Sequence, residues 1–145
     1  MTLAAAPVQT SGSARWERVA RPLLVGSGFA AATVALHFRD PHEKGSWGLC
    51  PFAAVGIHCP GCGGLRAVND LTDLRFADAA SSNLLFIVLA PFLVAAFARW
   101  TVGRWTGEPW QPSPRTVKVA LPVLVVAMLV FTVLRNTSAG SWLAP

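Results

Sequence analysis

Three cysteines are the residues of this chain best suited to chemistry, and all three lie in one stretch, Gly48-Leu-Cys50-Pro-Phe followed by Gly56-Ile-His58-Cys59-Pro-Gly-Cys62-Gly-Gly-Leu-Arg66-Ala. Three chemistries fit these residue types. A Cys-x-x-Cys pair at the start of a helix suits thiol exchange, because the helix N-terminus stabilises a thiolate and the short spacing permits an internal disulfide. The same run reads as a metal knuckle, with Gly63 letting the backbone turn around a sulfur-ligated ion. Zinc is the ion this reading implies, held by Cys50, Cys59 and Cys62, with His58 or His42 near enough to be the fourth ligand. In the third chemistry two of the cysteines form a disulfide that clips the loop over the rest of the fold, leaving one thiol free or buried. Haem attachment is disfavoured, since Gly63 stands where that motif needs histidine. The prolines at 51 and 60 and the glycines at 56, 61 and 63 supply the bends that would bring all three sulfurs together.

Beyond the cysteines, Arg66 could meet a carboxylate or a lipid phosphate, or simply solvate a helix face. Asn83 stands at the edge of an apolar run, where an amide caps a helix or bonds across helices more often than it lines a substrate path. His37 and His42 flank the loop as interfacial residues. The chain has no Ser-His-Asp arrangement, phosphate-binding glycine loop or pair of carboxylates within an apolar run, which argues against the common hydrolase, nucleotidase and proton-coupled transporter designs. The reading therefore leans away from an enzyme.

The elements that must position these residues are membrane spans. Of 145 residues, 53% are hydrophobic and 13% charged, against roughly 25% charged in soluble domains, so the surplus apolar surface needs lipid to face. The expected fold is an all-α integral membrane protein with three transmembrane helices. A Cys-containing loop with a short amphipathic helix lies between the first and second. Residues 1–21 read as a cytoplasmic tail, 22–136 as a single membrane domain and 137–145 as a C-terminal tail. The spans are expected at about 22–38, 83–100 and 117–134, and the loop at 39–82. Pro22 would sit in the first helical turn, where its missing N–H costs nothing, and Pro91 would kink the second span. The amphipathic helix is expected over 65–74, with Ala67, Val68, Leu71 and Leu74 on its apolar face and Arg66, Asn69, Asp70 and Asp73 on its polar face. There Arg66 and Asp70 are spaced to pair. The six tryptophans fall outside or at the ends of the apolar cores, where indole prefers the interface.

The formal net charge of +5 raises nucleic acid as a partner, but the basic residues sit beside apolar runs rather than in one patch interleaved with aromatics, and nucleic acid is set aside. The lipid bilayer is the expected partner, with anionic headgroups near the basic residues. Arg15, Arg18, Arg21, Arg99, Arg104, Arg115 and Lys118 fall on one side. Arg39, Lys44, Arg66, Arg75 and Arg135 fall on the other, diluted by acids. The positive-inside tendency then puts the N-terminus in the cytoplasm and the cysteine loop outside a cell membrane crossed several times.

With these motifs in view, the sequence resembles a family of small bacterial membrane proteins known as domain of unknown function 2752. That family has a similar Cys-Pro-Phe, a Cys-Pro-Gly-Cys-Gly knot followed by Thr-Arg-Ala, an Asn opening the next span and a closing Arg-Asn. The resemblance runs from about residue 40 to residue 136. It singles out Cys50, Cys59, Cys62, Gly63, Arg66, Asn83, Arg135 and Asn136, and Leu65 stands where the family has threonine. It implies an architecture and no activity. The function expected from the whole is a non-enzymatic accessory or interaction subunit that presents a Cys-stiffened extracytoplasmic loop to a membrane or extracytoplasmic protein partner. The alternative is a membrane thiol-redox or metal-binding protein using Cys59 and Cys62.

Overall fold

The computed structural model describes residues 11–43, 47 and 51–143, and Cys50 lies outside them. Helices dominate: α1 (Ser11–Phe38), α2 (Pro51–Ala54), α3 (Gly64–Thr72), α4 (Phe76–Thr106) and α5 (Pro114–Arg135), closed by a 3-10 segment (Ser138–Leu143). Among the described residues no strand occurs. Segments of α1, α4 and α5 (Trp16–Phe38, Phe76–Thr106 and Pro114–Arg135) are long and apolar enough to cross a membrane, so the chain is an all-helical, multi-pass membrane protein.

Each long helix outruns the apolar stretch that announces it. α1 begins at Ser11, which places Pro22 in its interior rather than its first turn. The reason lies in residues 14–21, Ala-Arg-Trp-Glu-Arg-Val-Ala-Arg, which contain no helix breaker and are mostly good helix formers. Polarity ends an apolar run but not a helix. α4 starts at Phe76 and continues through Pro91, and its non-helical residue is Asn83 (φ −159°, ψ 90°). The irregularity expected at the proline therefore falls eight residues earlier. The helix ends at Gly107 (φ 87°), whose left-handed backbone closes the last turn. Ser113 then caps α5 by accepting from the Thr116 N–H at 3.1 Å, with Pro114 at the first helical position.

The short helix α3 packs against α4 and α1, and it buries residues from both the apolar and the polar face read in the sequence. Asn69 and Asp70 are buried with Ala67, while Leu65 and Leu74 are exposed at 48% and 73%. The burial of Asn69 and Asp70 has a physical cause. Beside lipid, apolar side chains lose nothing by facing outward, whereas polar groups find hydrogen-bond partners only within the protein. Asn69 Nδ2 donates to the Leu36 carbonyl at 2.9 Å, tying α3 to the end of α1. Gly26 meets the Phe97 ring at 3.4 Å from an ideal Cβ position, which marks the close approach of α1 and α4. α5 packs chiefly on the 3-10 segment that follows it. The C-terminal ends of α1 and α5, the N-terminal part of α4 and the loop with α3 thus share one end of the molecule.

Candidate functional site: a clamped Cys-Pro-Gly-Cys loop

The loop 58–63 turns on local hydrogen bonds, Cys62 N–H to the Cys59 carbonyl at 3.1 Å and Gly64 N–H to the Gly61 carbonyl at 3.0 Å. Gly63 sits at φ 75° ahead of α3. This left-handed conformation costs a residue with a Cβ about 1–2 kcal/mol. The turn brings Cys59 Sγ to 3.2 Å from Cys62 Sγ, with both cysteines half-buried and no disulfide between them. The disulfide clip expected for two cysteines is not formed between these two, and the third cysteine, Cys50, is outside the described residues.

A proline- and glycine-rich turn leaves carbonyls without helical partners, and at a membrane edge those carbonyls need donors. Three side chains, from α4, from α5 and from the residue that caps α5, supply them. Arg135, in the last turn of α5 and 2% exposed, donates from Nη1 to the carbonyls of Cys59 at 3.1 Å and Cys62 at 2.9 Å. Its Nη2 donates to the Ser82 carbonyl at 3.3 Å and its Nε to the Leu143 carbonyl at 2.8 Å. The guanidinium also lies 4.9 Å from the centroid of the Phe131 ring. A cation here complements the negative end of the α5 dipole.

Asn83 is 1% exposed and works in two directions. Its Nδ2 donates to the carbonyls of Pro60 at 2.9 Å and Cys62 at 3.1 Å, and its Oδ1 accepts from the Phe86 N–H at 2.9 Å. The break in α4 is thus a cap for the helix beyond it, aimed so that the same amide holds the loop. Asn136 pairs with the backbone of His58 as a neighbouring strand would, accepting from its N–H at 2.9 Å and donating to its carbonyl at 2.9 Å. Together these residues hold the backbone at positions 58, 59, 60 and 62.

Arg66 is not part of this clamp, nor is it paired with Asp70 as its spacing suggested. Its Nε donates to the Pro41 carbonyl at 3.4 Å. Asp70, fully buried, accepts from Ser82 Oγ at 2.9 Å and faces Arg75 Nη2 at 2.9 Å. His42 Nε2 lies 3.6 Å from the same carboxylate, and its Nδ1 lies 2.8 Å from Asp40. The Asp40 carboxyl is held below its ordinary range, first by the His42 backbone N–H and then by the His42 ring. His37 faces Asp73 at 3.3 Å.

Sequence reasoning missed the polar group made by buried Asp70 and Ser82 with exposed Arg75 over them, and it missed the return of residues 138–143. One signal pointed to the donors: a loop rich in proline and glycine, between apolar runs bounded by Asn83, Arg135 and Asn136. As for zinc, no group of three or more His, Cys, Asp or Glu among the described residues converges as a metal site. Cys59 and Cys62 would supply two of the four donors such an ion needs.

This fold and site define a class, a small helical membrane protein with a paired-thiol loop clamped at one end of its spans. Residues 50–97 match the family model described as protein of unknown function (DUF2752), which assigns that segment to the family. The matched segment holds Cys50, Cys59, Cys62, Gly63, Arg66 and Asn83. Arg135 and Asn136 lie beyond it and reach the loop through the tertiary structure. No curated protein and no solved structure matches the chain.

Proposed function

We propose that the Cys59–Cys62 pair is a working dithiol, presented at the extracytoplasmic end of the membrane unit, that exchanges with a disulfide of a membrane or extracytoplasmic protein partner. One observation carries this reading. The structural task a disulfide would perform, fixing the loop on the bundle, is already done by Arg135, Asn83 and Asn136, and the two sulfurs, not bonded to each other, stand 3.2 Å apart. The sulfurs need to close by only about 1.2 Å to reach a bond of about 2.05 Å.

Exchange proceeds by attack of one cysteine thiolate on a partner sulfur, giving a mixed disulfide and releasing the partner's other sulfur as a thiol. The second cysteine then attacks its neighbour, forming the Cys59–Cys62 bond and leaving the partner with two thiols. Two electrons pass from the pair to the partner, and the reverse sequence restores the dithiol. The loop backbone need not reorganise, because its carbonyls stay clamped.

Glutathione buffers of graded potential, followed by trapping of free thiols with a mass-tagged alkylating reagent, test the reading on detergent-purified full-length protein. The expected result is concerted loss of two reactive thiols at one midpoint, abolished in Cys59→Ser and in Cys62→Ser. Retention of both thiols in the most oxidising buffer would sink the proposal.

The accessory-subunit reading draws on a different observation. Only 6% of the most apolar window of α5 is buried within the chain, so this helix has most of its surface free for lipid or for a helix of another protein. Cross-linking from Val126 in native membranes, with a discrete adduct expected, separates those two fates.

A further inference from the structure

The buried carboxylate of Asp70 sits at the bottom of an open cleft lined by His42, Arg66, Arg75, Asp78, Ser81 and Ser82. None of these residues serves the thiol loop through its side chain. Asp70 Oδ1 faces Arg75 as a charge but has no aligned hydrogen bond. The Arg75 contacts to Asp70, Asp73 and Asn69 all run through Nη2, which leaves its Nη1 and Nε without a hydrogen-bond partner among the described residues. Among the described residues Arg66 spends only Nε, on Pro41. Two guanidinium groups with N–H donors to spare therefore line one cleft, the arrangement that binds phosphate oxygens. Asp78, in the first turn of α4, has no ion-pair partner among the described residues, and it adds one negative group to the same wall.

The immediate chain neighbours of the two arginines include exposed apolar residues. Leu74 and Phe76, on either side of Arg75, are 73% and 64% exposed, and Leu65, beside Arg66, is 48% exposed. Leu74 also holds a left-handed backbone (φ 59°), an uncommon state for leucine that places Arg75 over Asp70 while its own side chain faces out. A soluble phosphate would gain nothing from these residues. An acyl chain would.

We infer that the cleft binds the headgroup of an aminophospholipid, with its phosphate on Arg66 and Arg75, its ammonium on Asp78, and its acyl chains along Leu65, Leu74 and Phe76. This site is independent of the dithiol, so failure of either leaves the other standing.

The test is thermal unfolding of delipidated full-length protein in detergent, titrated with phosphatidylethanolamine, with phosphatidylglycerol or with inorganic phosphate. Phosphatidylethanolamine should raise Tm in a saturable way, and inorganic phosphate should not. Arg66→Gln, which removes a half-exposed group with one long hydrogen bond, should weaken the lipid effect on the order of tenfold by removing a charge-assisted contact. Asp78→Asn should leave binding in place and erase the preference for phosphatidylethanolamine over phosphatidylglycerol. An equal rise with inorganic phosphate would put a free anion in the cleft and overturn the lipid assignment. A rise that Arg66→Gln leaves intact would place the lipid elsewhere, and no rise with any lipid would end the proposal.

Discussion

At the scale of single residues, the molecule turns on groups that answer unpaired backbone. Arg135 spreads one buried charge over four carbonyls, from Cys59, Cys62, Ser82 and Leu143. Hydrogen bonds from a charged donor contribute about 1.5–3 kcal/mol each, and buried acceptors left without one are costly. Arg135→Gln keeps at most part of this set, so it should destabilise the protein by on the order of 3 kcal/mol. It should also speed alkylation of Cys59 and Cys62, because the freed loop samples more open states. Denaturant melts with paired alkylation rates check both effects. An unchanged midpoint would show that the loop holds itself. In the same family of arguments, Asn83→Leu should lower Tm, since it removes two donors to the loop and the cap on Phe86.

At the scale of elements, glycines decide where helices can stop and where the chain can come back. Gly140 allows the 3-10 segment to lie against the end of α5, because a Cβ at this position would collide with the Leu134 carbonyl carbon and oxygen. That contact is with backbone, so no side-chain rotation relieves it. Gly140→Ala should therefore displace Leu143, whose carbonyl takes the Arg135 Nε, and weaken the clamp from a distance. The expected readout is a lowered Tm together with faster alkylation of the thiol pair, although residue 140 touches neither sulfur. A lowered Tm with unchanged thiol reactivity would mean that the segment only stabilises α5.

At the scale of the whole molecule, three spans put the loop, α3 and the C-terminal segment at one end and the connector 107–113 at the other. The proposed orientation places the loop outside the cytoplasm. A membrane-impermeant thiol reagent should then label Cys59 and Cys62 in intact cells after mild reduction, while a cysteine introduced at Thr106 should be labelled only after lysis. The reverse pattern would invert the topology and move the proposed partner to the cytoplasm.

How much of this was legible beforehand differs by the physics involved. Hydrophobic length and interfacial tryptophans are local quantities, so the three spans, the helical class and the cysteine loop could be read along the chain. The polar face of α3 could be read as well, but not the burial of Asn69 and Asp70 on it, because residue spacing defines a face and only the neighbouring medium decides which of its residues turn in. The helix ends at Ser11 and Thr106 escaped for a related reason: an apolar window measures fit to lipid, whereas a helix continues through any residues that keep its backbone bonded. Arg135 and Asn136 could be marked by resemblance, yet nothing local ties them to a loop more than seventy residues earlier. What the sequence determined by itself is which segments must leave water. The tertiary structure alone decided which donors meet the carbonyls of the Cys-Pro-Gly-Cys turn, because satisfying buried backbone is a constraint between segments that spacing along the chain does not record.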